Sequence, residues 1–181
     1  MSNIIDARKL ADPHREKLNK IKVCLFDVDG ILTDGRIYWG GEEVGYNRFF
    51  HVHDGYGIKI LRAAGVKVGV ITGGDSRGVI ERFNLLGLDY FFFGNEDKRE
   101  ALATILEDAK VSKDEVLYMG DEFFDLPILK QVGFAATVPN ASHEIKEVVD
   151  YVTQRESGKG CVREVIDMLR SVQNIVPAIE Y

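Results

Sequence analysis

The sequence predicts an α/β protein built on a doubly wound parallel sheet, with a β-hairpin inserted after the first strand. Two observations carry this: short unbroken apolar runs recur along the chain, and segments of helical period lie between them. The runs are Val23–Phe26, Val66–Ile71, Tyr90–Phe93, Val116–Met119 and Phe134–Val138. Such runs suit strands covered on both faces, as in a parallel Rossmann-like sheet.

Before the first run, Ile4, Ile5, Leu10 and Leu18 are scattered around Pro13, which suggests short helical pieces at the surface over residues 1–20. Residues 34–50 break the alternation. Two strand-like pieces flank Gly40-Gly41-Glu42, and the segment is expected to form a flap over the first strand's carboxyl end. Val79, Ile80, Phe83 and Leu86 follow a helical stripe, as do Leu102, Ile105, Leu106 and Ala109. A third stripe runs through Val162, Val165, Ile166 and Leu169, after which residues 172–181 read as a tail.

With 181 residues, 45% of them hydrophobic, one domain over 1–181 is the expectation. The net charge of −6 argues against binding nucleic acid, and no apolar run approaches the roughly 18 residues of a membrane span. Two cysteines without metal spacing, Cys24 and Cys161, and a charged N-terminal stretch fit a reduced, cytoplasmic setting.

In an open α/β sheet, ligands bind beyond the carboxyl ends of the strands. The first strand runs into Asp27-Val28-Asp29-Gly30. Two acids two positions apart start on the same side of the chain, and close carboxylates attract a hard cation such as Mg²⁺. An Asx-rich turn would produce the same residues. The next strand ends in Thr72-Gly73-Gly74, where small residues let backbone N–H groups approach an anion. Lys98 follows the third run, and Gly120-Asp121-Glu122-Phe123-Phe124-Asp125 follows the fourth. Each ending alone has a structural explanation as a cap or a solvated charge. Four together at one sheet edge point to chemistry.

This order and spacing resembles the haloacid dehalogenase superfamily of phosphotransferases, through FDVDG, ITG, Lys98 and GDExxD over residues 22–125. The resemblance implies that Asp27 is a nucleophile forming an aspartyl-phosphate and that Asp29 is the general acid and later the base. It implies that Thr72, Gly73 and Lys98 bind the phosphoryl oxygens. Mg²⁺ would be held by Asp27, the backbone carbonyl of Asp29, and Asp121, with Asp125 supporting them. A receiver-like phospho-signalling module is the alternative of another class. It carries its acceptor on a later strand, and a long-lived phospho-form would distinguish it from an enzyme.

Only 45 positions separate Asp27 from Thr72, too few for a cap domain beside the hairpin. The chain thus resembles the capless branch, and within it the phosphatases of 3-deoxy-D-manno-octulosonate 8-phosphate. The matching segments are Asp34-Gly35, Val52–Ile58, Tyr151–Thr153 and Gly158–Glu164. That family implies a sugar-acid phosphate substrate on the route to lipopolysaccharide, and a homotetramer whose flap and tail close neighbouring sites. Ile37, Tyr38, Trp39, Phe49 and Phe50 would supply the apolar contacts.

Three positions depart from the family pattern. Gly74 stands where an arginine is usual, His53 where Arg or Lys is common, and Glu122 where the second Asp of Gly-Asp-Asp would be. The missing guanidinium opens a nine-carbon nonulosonate 9-phosphate as an alternative substrate. Residues 89–125 hold 11 acidic and 4 basic side chains, so an anionic substrate needs borrowed cations. Arg48, Arg77, Lys159 and Arg163 are the candidates. His51 and His53 lack a third ligand at convincing spacing and are expected at the flap base.

Overall fold

The computed structural model describes residues 6–177. Ile4 and Ile5, and residues 178–181 of the expected tail, lie outside the described residues. Two short helices open the described chain, α1 (Ala7–Ala11) and α2 (Arg15–Lys20), joined by a tight turn through Pro13. They are less superficial than the sequence suggests. Ala11 and Leu18 are fully buried, and both helices pack on the final helix.

Strand β1 (Val23–Phe26) follows, then the hairpin strands β2 (Tyr38–Trp39) and β3 (Tyr46–Asn47), and helix α3 (Val52–Ala63). Next come β4 (Lys67–Ile71), α4 (Arg77–Leu86), β5 (Tyr90–Phe92) and α5 (Arg99–Ala109). The chain continues through β6 (Val116–Met119), α6 (Leu126–Leu129) and β7 (Phe134–Thr137). It closes with α7 (His143–Lys146), β8 (Tyr151–Val152) and α8 (Cys161–Gln173).

The main sheet is parallel throughout, in the order β5-β4-β1-β6-β7-β8, with helices packed against it. Strand β1 is central and wholly buried. Phe26 is level with Val70 on one neighbour and Met119 on the other, so three strands end at one height. The winding reverses direction at β1, which makes its carboxyl end the switch point where ligands settle. Among the described residues no cap domain interrupts this sheet, and no helix is long and apolar enough to cross a membrane.

The hairpin forms where expected, with a longer turn. Strands β2 and β3 pair antiparallel, and Gly40 donates to the Gly45 carbonyl across the intervening residues. Ile37, Tyr38, Trp39 and Phe49 remain exposed, Trp39 to 58% and Phe49 to 64%. Phe50 differs from the expectation that all five point outward. It turns inward and meets Phe83 edge-on at 5.6 Å.

Helix α3 has no clear signature in the sequence because Gly55 and Gly57 interrupt its helical pattern. Tertiary packing explains both. A Cβ on residue 55 would overlap the Arg82 guanidinium, and one on residue 57 would lie 3.0 Å from Arg163 Cδ and Ile166 Cδ1. The same helix supplies a cap at a distance: buried Asp54 accepts from the Arg163 backbone N–H at 2.7 Å, in the first turn of α8. No local side chain caps that helix. Strand β8 also escapes sequence reading, having only two residues. Residues 172 and 173 belong to α8 and not to the tail, and Gln173 Nε2 donates to the Leu18 and Ile21 carbonyls.

Burial pushes the Asp54 carboxyl up to about 6, against the pull of its backbone bond and of nearby cations. Its folded form thus holds a proton longer than its unfolded form. The contribution of Asp54 to stability falls as pH rises through the ordinary carboxylate range to about 6, then levels off. Asp54→Asn keeps an acceptor and cannot titrate. Its stability should improve relative to the unsubstituted protein by on the order of 2 kcal/mol between pH 4.5 and pH 7. Urea melts of both proteins at the two pH values measure this, and a constant difference would contradict it.

Candidate active site

The site is assembled from the carboxyl ends of β1, β4 and β6. Asp27 continues the β1 ladder, its N–H bonded to the Met119 carbonyl at 2.9 Å. The chain then winds into one loose turn over Val28–Leu32, broken at Gly30 with φ +89°. Gly30 is required twice. Its φ is open to few other residues, and a Cβ there would overlap the Asp121 carboxylate. From the far end of the chain, Gly158 N–H and Cys161 Sγ both bond the Ile31 carbonyl at 3.2 Å, so the Gly158–Glu164 segment buttresses this turn.

Lys98 stands at the N-terminus of α5 with its side chain fully buried. Its ammonium donates to Asp27 Oδ1 at 2.6 Å, Asp125 Oδ1 at 2.7 Å and Tyr118 Oη at 3.1 Å. The Phe124 ring lies 4.6 Å from Nζ. Asp125 is saturated: Oδ1 also accepts from Tyr118 Oη at 2.5 Å, and Oδ2 accepts the N–H groups of Asp121 and Glu122. Sequence reasoning missed Tyr118 and Phe124. The one available signal was a hydroxyl inside an otherwise apolar buried strand.

Asp27 Oδ2 and Asp121 Oδ1 are buried and have no hydrogen-bond partner. Oxygens of Asp27, Asp121 and Asp125 lie within 4.8 Å of one another. Burial, then the charges of Asp27 and Asp125, push the Asp121 carboxyl up to about 8. Burial also drives Asp27 upward, with Lys98 pulling against it. Three acids around one ammonium leave excess negative charge in a dry place, and two bare oxygens face it. These residues fit a hard divalent cation such as Mg²⁺.

The Asp29 carboxylate is not one of this group. Arg48, just beyond β3, grips it on both oxygens, Nε to Oδ1 at 2.5 Å and Nη2 to Oδ2 at 2.7 Å. Arg48 Nη1 also donates to Ser76 Oγ at 2.8 Å. The guanidinium passes over Gly74, where a Cβ would sit 2.8 Å from Nη2. Thr72 is buried, its Oγ1 accepting from Gly74 N–H at 3.1 Å, while Gly73 is exposed.

Arg77 opens α4 and, with Arg48, Gly74, Trp39 and Tyr46, lines a cleft of about 390 Å³ between flap and sheet edge. Two expected cations are not brought there. Arg163 is bound through Nε to Asp167, one turn along α8, and Lys159 pairs with Glu156 in solvent. His51 and His53 do stand at the flap base, rings 5.0 Å apart.

Binding a divalent cation here displaces protons from Asp27 and Asp121, because the ion needs their charged forms. Both carboxyls titrate above the ordinary range, so protons compete strongly at pH 6 and weakly at pH 8. The rise in melting temperature on adding saturating Mg²⁺ should therefore be larger at pH 8, roughly 5 °C or more. Thermal melts with Mg²⁺ or EDTA at both pH values check this, and equal shifts would count against a metal held by these acids.

Comparison with known proteins agrees with this geometry. A family model described as haloacid dehalogenase-like hydrolase matches residues 91–166. The chain is 37% identical over 161 residues to the 3-deoxy-D-manno-octulosonate 8-phosphate phosphatase of Haemophilus influenzae, covering 88% of each chain. The crystal structure of the Yersinia pestis phosphatase of that name superposes with a TM-score of 0.86 at 33% identity, covering 90% of this chain and 88% of that one. A Moraxella catarrhalis phosphatase solved with magnesium ion, phosphate ion and a KDO molecule gives a TM-score of 0.85 at 34% identity, covering 90% and 93%. With the sheet, the motif order and the acid cluster in place, the chain belongs to the 3-deoxy-D-manno-octulosonate 8-phosphate phosphatase family of haloacid dehalogenase-like hydrolases.

Proposed function

We propose that this protein is a Mg²⁺-dependent phosphomonoesterase that hydrolyses 3-deoxy-D-manno-octulosonate 8-phosphate to the free eight-carbon acid and phosphate, a step toward lipopolysaccharide. The observation that carries the reading is Asp27: one oxygen is held by Lys98, and the other is bare beside Asp121. Family membership favours this hydrolase over the phospho-signalling alternative.

In the first half-reaction a carboxylate oxygen of Asp27 attacks phosphorus and the bond from phosphorus to the sugar oxygen breaks. Asp29, which first frees one oxygen from Arg48 and takes a proton there from solvent water, gives that proton to the sugar oxygen. In the second, Asp29 takes a proton from water, the water oxygen attacks phosphorus, and the bond to Asp27 breaks to release phosphate. Thr72 and the backbone at Gly73 orient the phosphoryl oxygens, and the Lys98 charge, held against Asp27 Oδ1, offsets the negative charge that gathers there. Asp27, the Asp29 carbonyl and Asp121 would hold Mg²⁺, which supplies further charge neutralisation when bound. Asp125 orients Lys98 and the backbone of Asp121 and Glu122.

For the sugar carboxylate, Arg48 and Arg77 are the cations in place at the cleft. Arg48 crosses the space above Gly74, which supports a guanidinium delivered from the flap where relatives use position 74. Arg163 has no part in this assignment within one chain.

Asp27→Asn should lower turnover at least about a thousandfold while leaving the fold intact. Near-normal activity in that variant would refute the covalent mechanism. Across eight-carbon and nine-carbon sugar-acid phosphates and hexose phosphates, kcat/KM should favour the eight-carbon acid tenfold or more. A preference for the nine-carbon acid would reject the substrate and keep the chemistry.

A single phosphatase domain acting in the cytoplasm as a homotetramer completes the proposal. Two buried, unpaired cysteines support the reduced compartment. The exposed apolar flap beside an open cleft supports assembly, because water in the cleft weakens every charge interaction. Light scattering should give four chains per particle. A stable and fully active monomer would overturn this.

A further inference from the structure

The Lys98 ammonium has three N–H bonds, and the structure accounts for all of them. Two go to carboxylates that the family's chemistry uses. The third goes to Tyr118 Oη, a neutral group two residues before Gly120 in a fully buried strand. The direction of that bond is fixed. An ammonium can only donate, so the phenol offers a lone pair to Lys98 and sends its own proton to Asp125 Oδ1, 2.5 Å away. Lys98, Tyr118 and Asp125 thus close a triangle of hydrogen bonds, with sides of 3.1, 2.5 and 2.7 Å. The Phe124 ring adds a π face to the same ammonium.

We propose that Tyr118 and Phe124 are positioning residues that hold the Lys98 ammonium against Asp27 Oδ1. The inference rests on Asp27 and Lys98 acting as assigned above and adds how the lysine is aimed. A lysine stem has four rotatable bonds, and with one donor unspent its ammonium swings among acceptors. Tyr118 takes up that donor and locks Asp125 in the same geometry, while Phe124 limits movement on another side. The result is an ammonium with one orientation before substrate arrives, which is where electrostatic catalysis gains most. Tyr118 is wholly buried, so it acts through Lys98 and Asp125.

The test uses the full chain with saturating Mg²⁺. Tyr118→Phe keeps the ring and removes the oxygen, and Phe124→Leu keeps an apolar side chain and removes the π face. Activity is normalised to the folded fraction from circular dichroism. Lys98 acts on the transfer through the nucleophile Asp27, so kcat should fall about tenfold for Tyr118→Phe and about threefold for Phe124→Leu. The loss should be equal on sugar-acid phosphate and on p-nitrophenyl phosphate, with KM changed less than twofold. Inhibition by vanadate, a mimic of the transferring group, should weaken in proportion to kcat. Folded Tyr118→Phe enzyme with kcat within twofold of the original would overturn the proposal. If that variant does not fold, an unchanged kcat in Phe124→Leu does so. Asp27→Asn is assayed alongside: activity surviving there rejects the covalent mechanism itself, whereas an inactive Asp27→Asn with an unimpaired Tyr118→Phe rejects only the positioning role.

Discussion

One ammonium group organises this protein. Lys98 is buried to the tip, and a charge removed from water costs several kcal/mol unless partners surround it. Its partners come from three places in the chain: Asp27 at the end of β1, Tyr118 in β6, and Asp125 in the turn after β6. They can meet only if β1 and β6 are neighbours in parallel register, which the Phe26–Met119 pairing provides. Sheet order and site chemistry are therefore one constraint. A strand slipped by one residue would leave a buried lysine facing backbone.

The acids around it are fewer in role than in number. Asp125 spends both oxygens on donors within the protein, and Asp29 spends both on Arg48. Asp27 and Asp121 each keep a bare buried oxygen. That division separates carboxylates satisfied by protein donors from carboxylates left open to a cation.

How far the sequence disclosed this follows from the range of each interaction. Buried strands show as continuous apolar runs, and acids at their ends stay near in sequence to the strands that aim them, so β1, β4, β6 and the residues at their ends were legible. Helix α3 was not, because the reasons for Gly55 and Gly57 lie in Arg82, Arg163 and Ile166. The Asp54 cap on α8 spans 109 positions, and the grip of Arg48 on Asp29 spans 19. Arg48 was recognised as a cation near the edge, but its partner is set by how the hairpin folds back. Strand β8 is too short to show a period at all.

The bond between Arg48 and Asp29 bears on how the flap could be exchanged between relatives. A hairpin grafted from another sequence brings its own side chain to the end of β3, and that side chain then becomes the counter-ion of Asp29. The graft would alter the aim of a residue in the recipient's first loop, with no substitution made there. Flap and loop therefore form one heritable unit, joined through a guanidinium and not through the backbone, and a chimaera that splits the unit separates the acid from its partner.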